Sequence, residues 1–502
     1  MWFTTEFMTE TRTDHPAPRD PSNGLPPFTR PPGAGSPGRV FAVLALAVFI
    51  STLDMFIVNI AFPALQIAFA EPGVATVSWV LNAYAIVFAA MLVPAGKLGD
   101  VIGRRRVFTA GLIAFGVGSA VCAVAPTLGV LIAARALQGA GAAAVTPTSL
   151  GLLLPSVPPH RRAAAIGGWA ALGAVGAACG PALGGLLTEL SWQWIFIVNV
   201  PLALIALVGG YRVLPEIRDP AKPPLPDAVG TMLLMAAVSA ATLGLVQGSA
   251  WNWDERVIGC FAGTLVLAGA FVARSRSHRT PVLELGILRM RAFALSSLSA
   301  ALFYAAFSAM LLGNVLFLTG VWQYSVLQAG LALTPGPIAA ALVAPFAGRL
   351  AQRVGPGPVG GAGAVLFGAG LIMAIAFLGP EPAYWTWFFP AMLVGGSGVG
   401  LALPTFTIAA TATLPPPTLA TGIGAQTMFR QIGAALGVAG FVAILGTPTP
   451  STAIGAFNDT RWFMIAAAGA AAVAIALIGA PRCGCARPKS GTPDRTPIRH
   501  HH

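Results

Sequence analysis

The chain has 502 residues, of which 56% are hydrophobic and only 9% charged, with a mean hydropathy of +0.77. A soluble domain is about one-quarter charged, so this composition excludes a water-solvated core and leaves lipid as the solvent. The formal net charge of +12 would suit nucleic acid, but where the basic residues fall argues against that partner.

Residues 1–39 are rich in Pro, Gly, Thr and Arg and lack apolar periodicity, which predicts a disordered tail on the cytoplasmic side. The first long apolar run begins only at Val40, too late for a cleaved signal peptide. Fourteen runs of membrane length follow, at 40–62, 77–96, 107–125, 128–151, 163–188, 194–213, 228–248, 257–273, 294–319, 326–347, 359–378, 385–410, 418–446 and 461–480. A helix needs about 20 apolar residues to cross a bilayer. Continuous runs, rather than short alternating strands, select helices over a closed barrel.

The expected organisation is an N-terminal six-helix bundle at 40–213, a linker carrying two extra transmembrane helices at 214–293, a C-terminal six-helix bundle at 294–480, and a second cytoplasmic tail at 481–502. Of the 29 Lys and Arg, 25 fall in the termini or in loops that this alternation places on one side. Excess Lys and Arg mark the cytoplasmic side, so both termini are expected inside the plasma membrane. Nine of the 11 tryptophans sit near the opposite ends of the helices, the headgroup level that indole rings prefer. The five cysteines give no disulfide framework. The histidines all lie outside the apolar runs, and His500-His501-His502 are set aside from function.

Two stretches are copies of one another: Gly96-Lys-Leu-Gly-Asp-Val-Ile-Gly103 and Gly348-Arg-Leu-Ala-Gln-Arg-Val-Gly355. Each is expected as a tight loop after the second helix of a half, so the chain is built from two related halves, as in secondary transporters. Asp100 can pair with neighbours such as Arg104, whereas the second copy has Gln352 at that place. Any charged latch therefore belongs to the first half.

Asp54 is the only carboxylate inside a predicted helix, and Arg135 and Arg430 are the only interior cations. A charge at mid-membrane is costly and normally faces a cavity or a partner. Burial raises a carboxylate's pKa and a guanidinium lowers it, so a site where the two oppose each other can titrate in a physiological range. Asp54 is read as a proton-binding group; the alternative is a structural ion pair or a capping contact. Arg135, Gln138 and Gly139 share one helix face, and Arg135 with Gln138 is expected to form the proton-coupling network around Asp54. Gly176, Gly180 and Gly184 recur at four-residue spacing, which allows close helix packing in lipid, and Pro181 adds a bend. Gly433 and Gly437, beside Arg430, form a candidate counterpart in the second half.

Several of these stretches together resemble one family. The segment Gly96 to Arg106 looks like the signature of the major facilitator superfamily. Leu53-Asp54-Met55-Phe56-Ile57-Val58-Asn59-Ile60-Ala61-Phe62-Pro63 resembles the first-helix motif of its 14-helix drug:proton antiporters. Leu131 to Gly141 resembles their fourth-helix motif, and Gly176 to Gly185 their fifth-helix antiporter motif. Trp192 to Phe196 and Asn199-Val200-Pro201 add to the match, which covers roughly residues 40–480. Val101 and Gln193 depart from the family's usual basic residues.

The resemblance implies an all-α membrane protein of major facilitator fold: two six-helix bundles plus two additional transmembrane helices, 14 spans in all. It further implies export of a drug, antibiotic or metabolite in exchange for protons by alternating access, with a proton-coupled importer or facilitator of a small metabolite of the same fold as the alternative. It assigns Gly96, Asp100, Gly103, Arg104, Gly176, Gly180, Pro181 and Gly184 to the conformational gate and latch. Candidates for the substrate cavity are Asn59, Asn82, Tyr84, Tyr304, Asn314, Gln426, Phe429 and Arg430. The single interior acid disfavours multiply cationic compounds against neutral, anionic or monocationic ones. The expected partners are a small-molecule substrate, protons and the lipid bilayer; no cofactor beyond the proton gradient, no metal and no nucleic acid are expected, and the protein is expected to be a monomer. The sequence offers no Gly-Lys-Ser/Thr phosphate loop, and two G-x-G-x-x-G strings lack the strand–helix setting of a dinucleotide site. Ser397 lacks the second glycine of a nucleophile elbow, so the chain does not read as an enzyme.

Overall fold

The computed structural model describes residues 35–71, 73–218, 224–412, 414–415 and 419–478. Most of both tails, including Cys483, Cys485 and His500 to His502, lies outside the described residues. No strand occurs among the described residues. Among these residues, fourteen helices are long and apolar enough to cross a membrane. They are α1 (Pro37–Ile60), α2 (Val74–Ile102), α3 (Arg104–Ala123), α4 (Leu128–Ser156), α5 (Ala164–Leu190), α6 (Trp194–Val213), α7 (Ala228–Gln247), α8 (Glu255–Ser277), α9 (Arg291–Gly320), α10 (Val326–Val354), α11 (Pro356–Phe377), α12 (Tyr384–Thr411), α13 (Thr421–Leu445) and α14 (Ala453–Ala476).

The repeated segment is not a loop. Helix α2 continues to Ile102, and the reversal is confined to Gly103, with φ of 117°, before α3 starts at Arg104. Helix α10 likewise runs to Val354 and reverses at Gly355, with φ of 93°. A residue without a Cβ takes this conformation at no steric cost, so one glycine does the work that the sequence reading spread over eight residues. The asymmetry between the copies is visible too. Arg104 Nε donates to Asp100 Oδ1 at 2.8 Å, its Nη1 donates to the Gly151 carbonyl at 2.8 Å, and its backbone N–H donates to Ile217 O at 2.8 Å. The guanidinium thus sits at the C-terminal end of α4, where a cation is favoured.

Helix α14 begins eight residues before the sequence-based boundary at 461, so Arg461 lies within a span and not in a loop. It is buried, its Nη1 donates to Asn458 Oδ1 at 2.8 Å, and its guanidinium lies 4.6 Å from the Phe317 ring centroid. Among the described residues the expectation of only two interior cations is corrected to three, and Asp459, two residues earlier in the same helix, likewise corrects the expectation that Asp54 is the only carboxylate inside a helix. The polar Asn458-Asp459-Thr460 stretch lowered the apparent hydropathy there, while in the helix Asn458 accepts from Arg461, Thr460 Oγ1 donates to Phe457 O and Asp459 is exposed. Trp462 moves with this boundary to a lipid-exposed place inside α14.

The two extra helices, α7 and α8, are not equivalent. Helix α7 packs against both α2 and α13 and so covers the seam between the halves. Helix α8 leans on α7 and leaves Ile258, Leu265 and Val266 exposed. Near the Lys/Arg-rich ends of this pair, Asp227 accepts from Gly230 N at 3.0 Å and from Arg274 Nε at 3.2 Å. Burial works to raise the Asp227 carboxyl's pKa, but the Gly230 N–H, the Arg274 guanidinium and His278 outweigh it and hold the group below its ordinary value. Lys97 Nζ donates to Pro281 O at 2.7 Å and pairs with Glu284 at 3.6 Å, tying α2 to the connector that leads into the second half.

Candidate functional site

Asp54, Val80, Arg135 and Asn199 each lie about two turns from the ends of α1, α2, α4 and α6 opposite the Lys/Arg-rich face. Asp54 is 0% exposed and Arg135 1%. Arg135 Nη1 donates to Asp54 Oδ2 at 2.6 Å and to Gln138 Oε1 at 2.8 Å, while its Nε donates to Val80 O at 3.1 Å. The other carboxylate oxygen, Oδ1, accepts from Asn199 Nδ2 at 2.8 Å and from Gln138 Nε2 at 3.3 Å. Gln138 also donates to Ser119 Oγ at 2.7 Å. Both carboxylate oxygens are therefore occupied, and the carboxyl points into the first bundle, not at the lipid.

The sequence reading placed Asp54, Arg135 and Gln138 together, and the structure brings them together. It missed Asn199 and Ser119. The polar spacing of Asn199 on α6 was available as a signal, but no single-helix pattern joins residues 145 positions apart. Tyr84, a candidate for the substrate cavity, lies against the ion pair. It is buried, its ring lies 4.4 Å from the Arg135 guanidinium, and its hydroxyl reaches Ser51 O at 3.5 Å, so it belongs to the wall of the ion pair.

The gate glycines mark close helix approach. A Cβ at Gly176 would stand 2.7 Å from Phe49 O, and at Gly180 it would stand 2.6 Å from Phe56 Cβ, so α5 lies against α1 with almost no spacing. Gly433 and Gly437 press α13 onto the Ala301 and Ala305 carbonyls of α9 in the same way. Helices 5 and 1 of the first half thus correspond to helices 13 and 9 of the second. Gly184 packs on Ile57, and Pro181 presents its carbonyl to Gly330 of α10 across the halves. Gly96 meets Pro147 of α4. A single apolar cluster, including Ile57, Phe62, Leu131, Ala306 and Leu333, joins the halves at the face opposite the basic one, with the Phe56 and Phe307 rings 6.1 Å apart.

The remaining cavity candidates divide. Arg430 lies over the Tyr304 ring at 4.8 Å, and Tyr304 meets Phe307 edge-on at 5.9 Å, which puts both beside the junction of the halves. Gln426 is buried one turn from Arg430, with its Nε2 unpartnered among the described residues. Asn59 donates back to Met55 O at 3.0 Å, and Asn314 donates to Met392 Sδ at 3.5 Å. Phe429 packs in the cluster shared by α2, α7 and α13. Asn82 is buried with neither amide atom partnered among the described residues. No group of three or more His, Cys, Asp or Glu able to hold a metal occurs among the described residues.

Comparison with known proteins decides the family. The model of the family described as Major Facilitator Superfamily matches residues 44–438 and 297–492. The chain belongs to the major facilitator superfamily. Among curated members, it is 33% identical over 409 residues to "Multidrug resistance protein Stp" of Mycobacterium tuberculosis, covering 80% of this chain and 74% of that protein. It is 30% identical over 438 residues to the "Probable actinorhodin transporter" of Streptomyces coelicolor, covering 85% and 74%. A solved structure titled as an auto inhibited POT family peptide transporter shares the fold with a TM-score of 0.65 at 16% identity, covering 92% of this chain and 99% of that one. The 14 spans and the family together establish a multi-pass membrane transport protein of the major facilitator superfamily.

Proposed function

We propose that this transporter exports a small organic compound in exchange for protons by alternating access, with Asp54 as the proton-binding group. The observation that carries this reading is the buried Asp54–Arg135 pair, ringed by Gln138 and Asn199. A carboxylate kept from water beside a guanidinium binds a proton only when the pair loosens. Protonation removes the attraction that holds α1 to α4, and Arg135 then rests on Val80 O, Gln138 and the Tyr84 ring. Helix α1 also carries Phe56 of the junction and packs against the glycine face of α5. The protonation state is thereby coupled to the contacts that close the halves.

The names of the relatives, which include a multidrug resistance protein, a probable actinorhodin transporter and a tetracenomycin C resistance and export protein, favour export of drug-like or antibiotic-like compounds. In this reading the protein is a monomer in the plasma membrane with its Lys/Arg-rich face and both termini in the cytoplasm, in keeping with the positive-inside rule. Asp100–Arg104 at the Gly103 reversal serves as the latch of the first half. The test is purified protein in proteoliposomes with a lumenal pH dye, challenged with candidate compounds. Compound-dependent proton flux that disappears in Asp54→Asn supports the proposal. Undiminished flux in that variant refutes it.

A further inference from the structure

We infer that Arg430, Tyr304 and Gln426 form a recognition site for an ionised acid carried on a flat aromatic body, so that the exported compound is an organic anion; this rests on the export reading above. The two halves differ sharply in how they treat their interior cations. Arg135 in the first half is neutralised by Asp54 at 2.6 Å. Arg430 in the second half, nine residues into the 25-residue span of α13, has no ion pair and no hydrogen bond among the described residues, and its buried Nε is unpartnered. A guanidinium at that depth cannot rest against hydrocarbon, so its free edge faces a water-filled or ligand-filled space.

The surroundings give that space its chemistry. The Tyr304 ring lies 4.8 Å from the guanidinium carbon and fixes the plane of the fork while leaving its N–H edge free. Gln426, one turn earlier on α13, is buried with an amide Nε2 that meets no acceptor. Two donors of one sign of chemistry, one of them charged, are thus held without any acceptor of their own. A buried unpartnered donor costs free energy, and an acid with two oxygens relieves both donors at once, because a guanidinium fork matches a carboxylate in geometry. The aromatic part follows from what stands beside the donors. Tyr304 and Phe307 meet edge-on at 5.9 Å, and Phe307 reaches Phe56 of the first half at 6.1 Å. A planar ring system bearing a carboxylate or an acidic phenol would lay its oxygens on Arg430 and Gln426 and its ring on this aromatic wall. The close packing of Gly433 and Gly437 on α9 holds Arg430 over Tyr304, so the site is built by the fold and not by a mobile side chain.

The experiment is equilibrium binding of fluorescein, an aromatic acid, to the purified full chain in detergent by fluorescence polarisation, with the cation ethidium as the opposing probe. Wild-type protein is expected to bind fluorescein more tightly than ethidium. Arg430→Gln is expected to weaken fluorescein about tenfold or more, the loss of one charged hydrogen-bonded contact, and Arg430→Lys to recover part of it. Size-exclusion profiles and melting curves of each variant report folding, and Gln426→Leu supplies a second, uncharged perturbation expected to weaken fluorescein and spare melting. Equal fluorescein affinity in wild type and Arg430→Gln, or preference for ethidium in the wild type, overturns the inference. Because binding is read without a gradient, that outcome leaves the proton-exchange reading to the Asp54 assay.

Discussion

Replacing Asp54 by Asn probes the site most directly, and the structure sets its size. Both carboxylate oxygens accept: Oδ2 from Arg135 at 2.6 Å, Oδ1 from Asn199 at 2.8 Å and Gln138 at 3.3 Å. An asparagine offers one oxygen and one NH2 group, so keeping the oxygen toward Arg135 turns a donor toward two donors. Asn199 can answer by rotating its amide, because its Oδ1 has no partner among the described residues, at the loss of the 3.5 Å bond from its Nδ2 to Ile195 O. The guanidinium keeps the Val80 carbonyl, Gln138 Oε1 and the Tyr84 ring. Removing one partner of a buried pair costs about 3–5 kcal/mol, and these retained contacts put Asp54→Asn near the lower end, about 3 kcal/mol. Arg135→Gln strands a carboxylate between two amides and is expected to cost about 4 kcal/mol. The double variant, neutral at both positions, is expected to cost about 5 kcal/mol, a coupling of about 2 kcal/mol for residues in contact. Denaturation of the three purified variants in mixed micelles measures the cycle. Additivity within about 0.5 kcal/mol would mean that the pair does not act as a unit, and the reasoning would fail.

Three further outcomes follow from single contacts. Asn199→Ala removes a hydrogen bond to a buried charged acceptor and is expected to destabilise by about 1.5–3 kcal/mol and to move the pH at which proton-coupled flux is half-maximal; an unmoved pH profile would confine Asn199 to packing. Gly103→Ala forces a Cβ into positive φ against the Glu216 carboxylate, with an expected strain of about 1–3 kcal/mol, read as a lowered melting temperature that Gly286→Ala, at an open position, does not share. Asp227 has its folded pKa held below the ordinary 3.8. Its contribution is therefore fully present above that value and is lost as pH falls below it toward the folded pKa. Acid titration of the melting temperature is expected to show this loss in the wild type and a smaller one in Asp227→Asn.

The number of spans, their alternating direction and the two-half plan were legible in the sequence, because in lipid every crossing must be a continuous apolar helix long enough to satisfy its own backbone. The pairing of Asp54 with Arg135 was legible for a related reason: interior charges are so costly in lipid that the few present are driven to find one another. Spacing along α4 also placed Gln138 on the Arg135 face. Helix ends were less legible where polar residues stay inside a helix, as at Arg461, or where a helix outlasts its apolar run, as α2 does to Ile102. Only the tertiary structure brought Asn199 to Asp54, set Tyr84 against the ion pair, and placed α7 on the seam between the halves. It alone left Arg430 without a counter-charge among the described residues. Those facts depend on which faces of distant helices meet, and periodicity along one helix carries no information about its neighbour across the bundle.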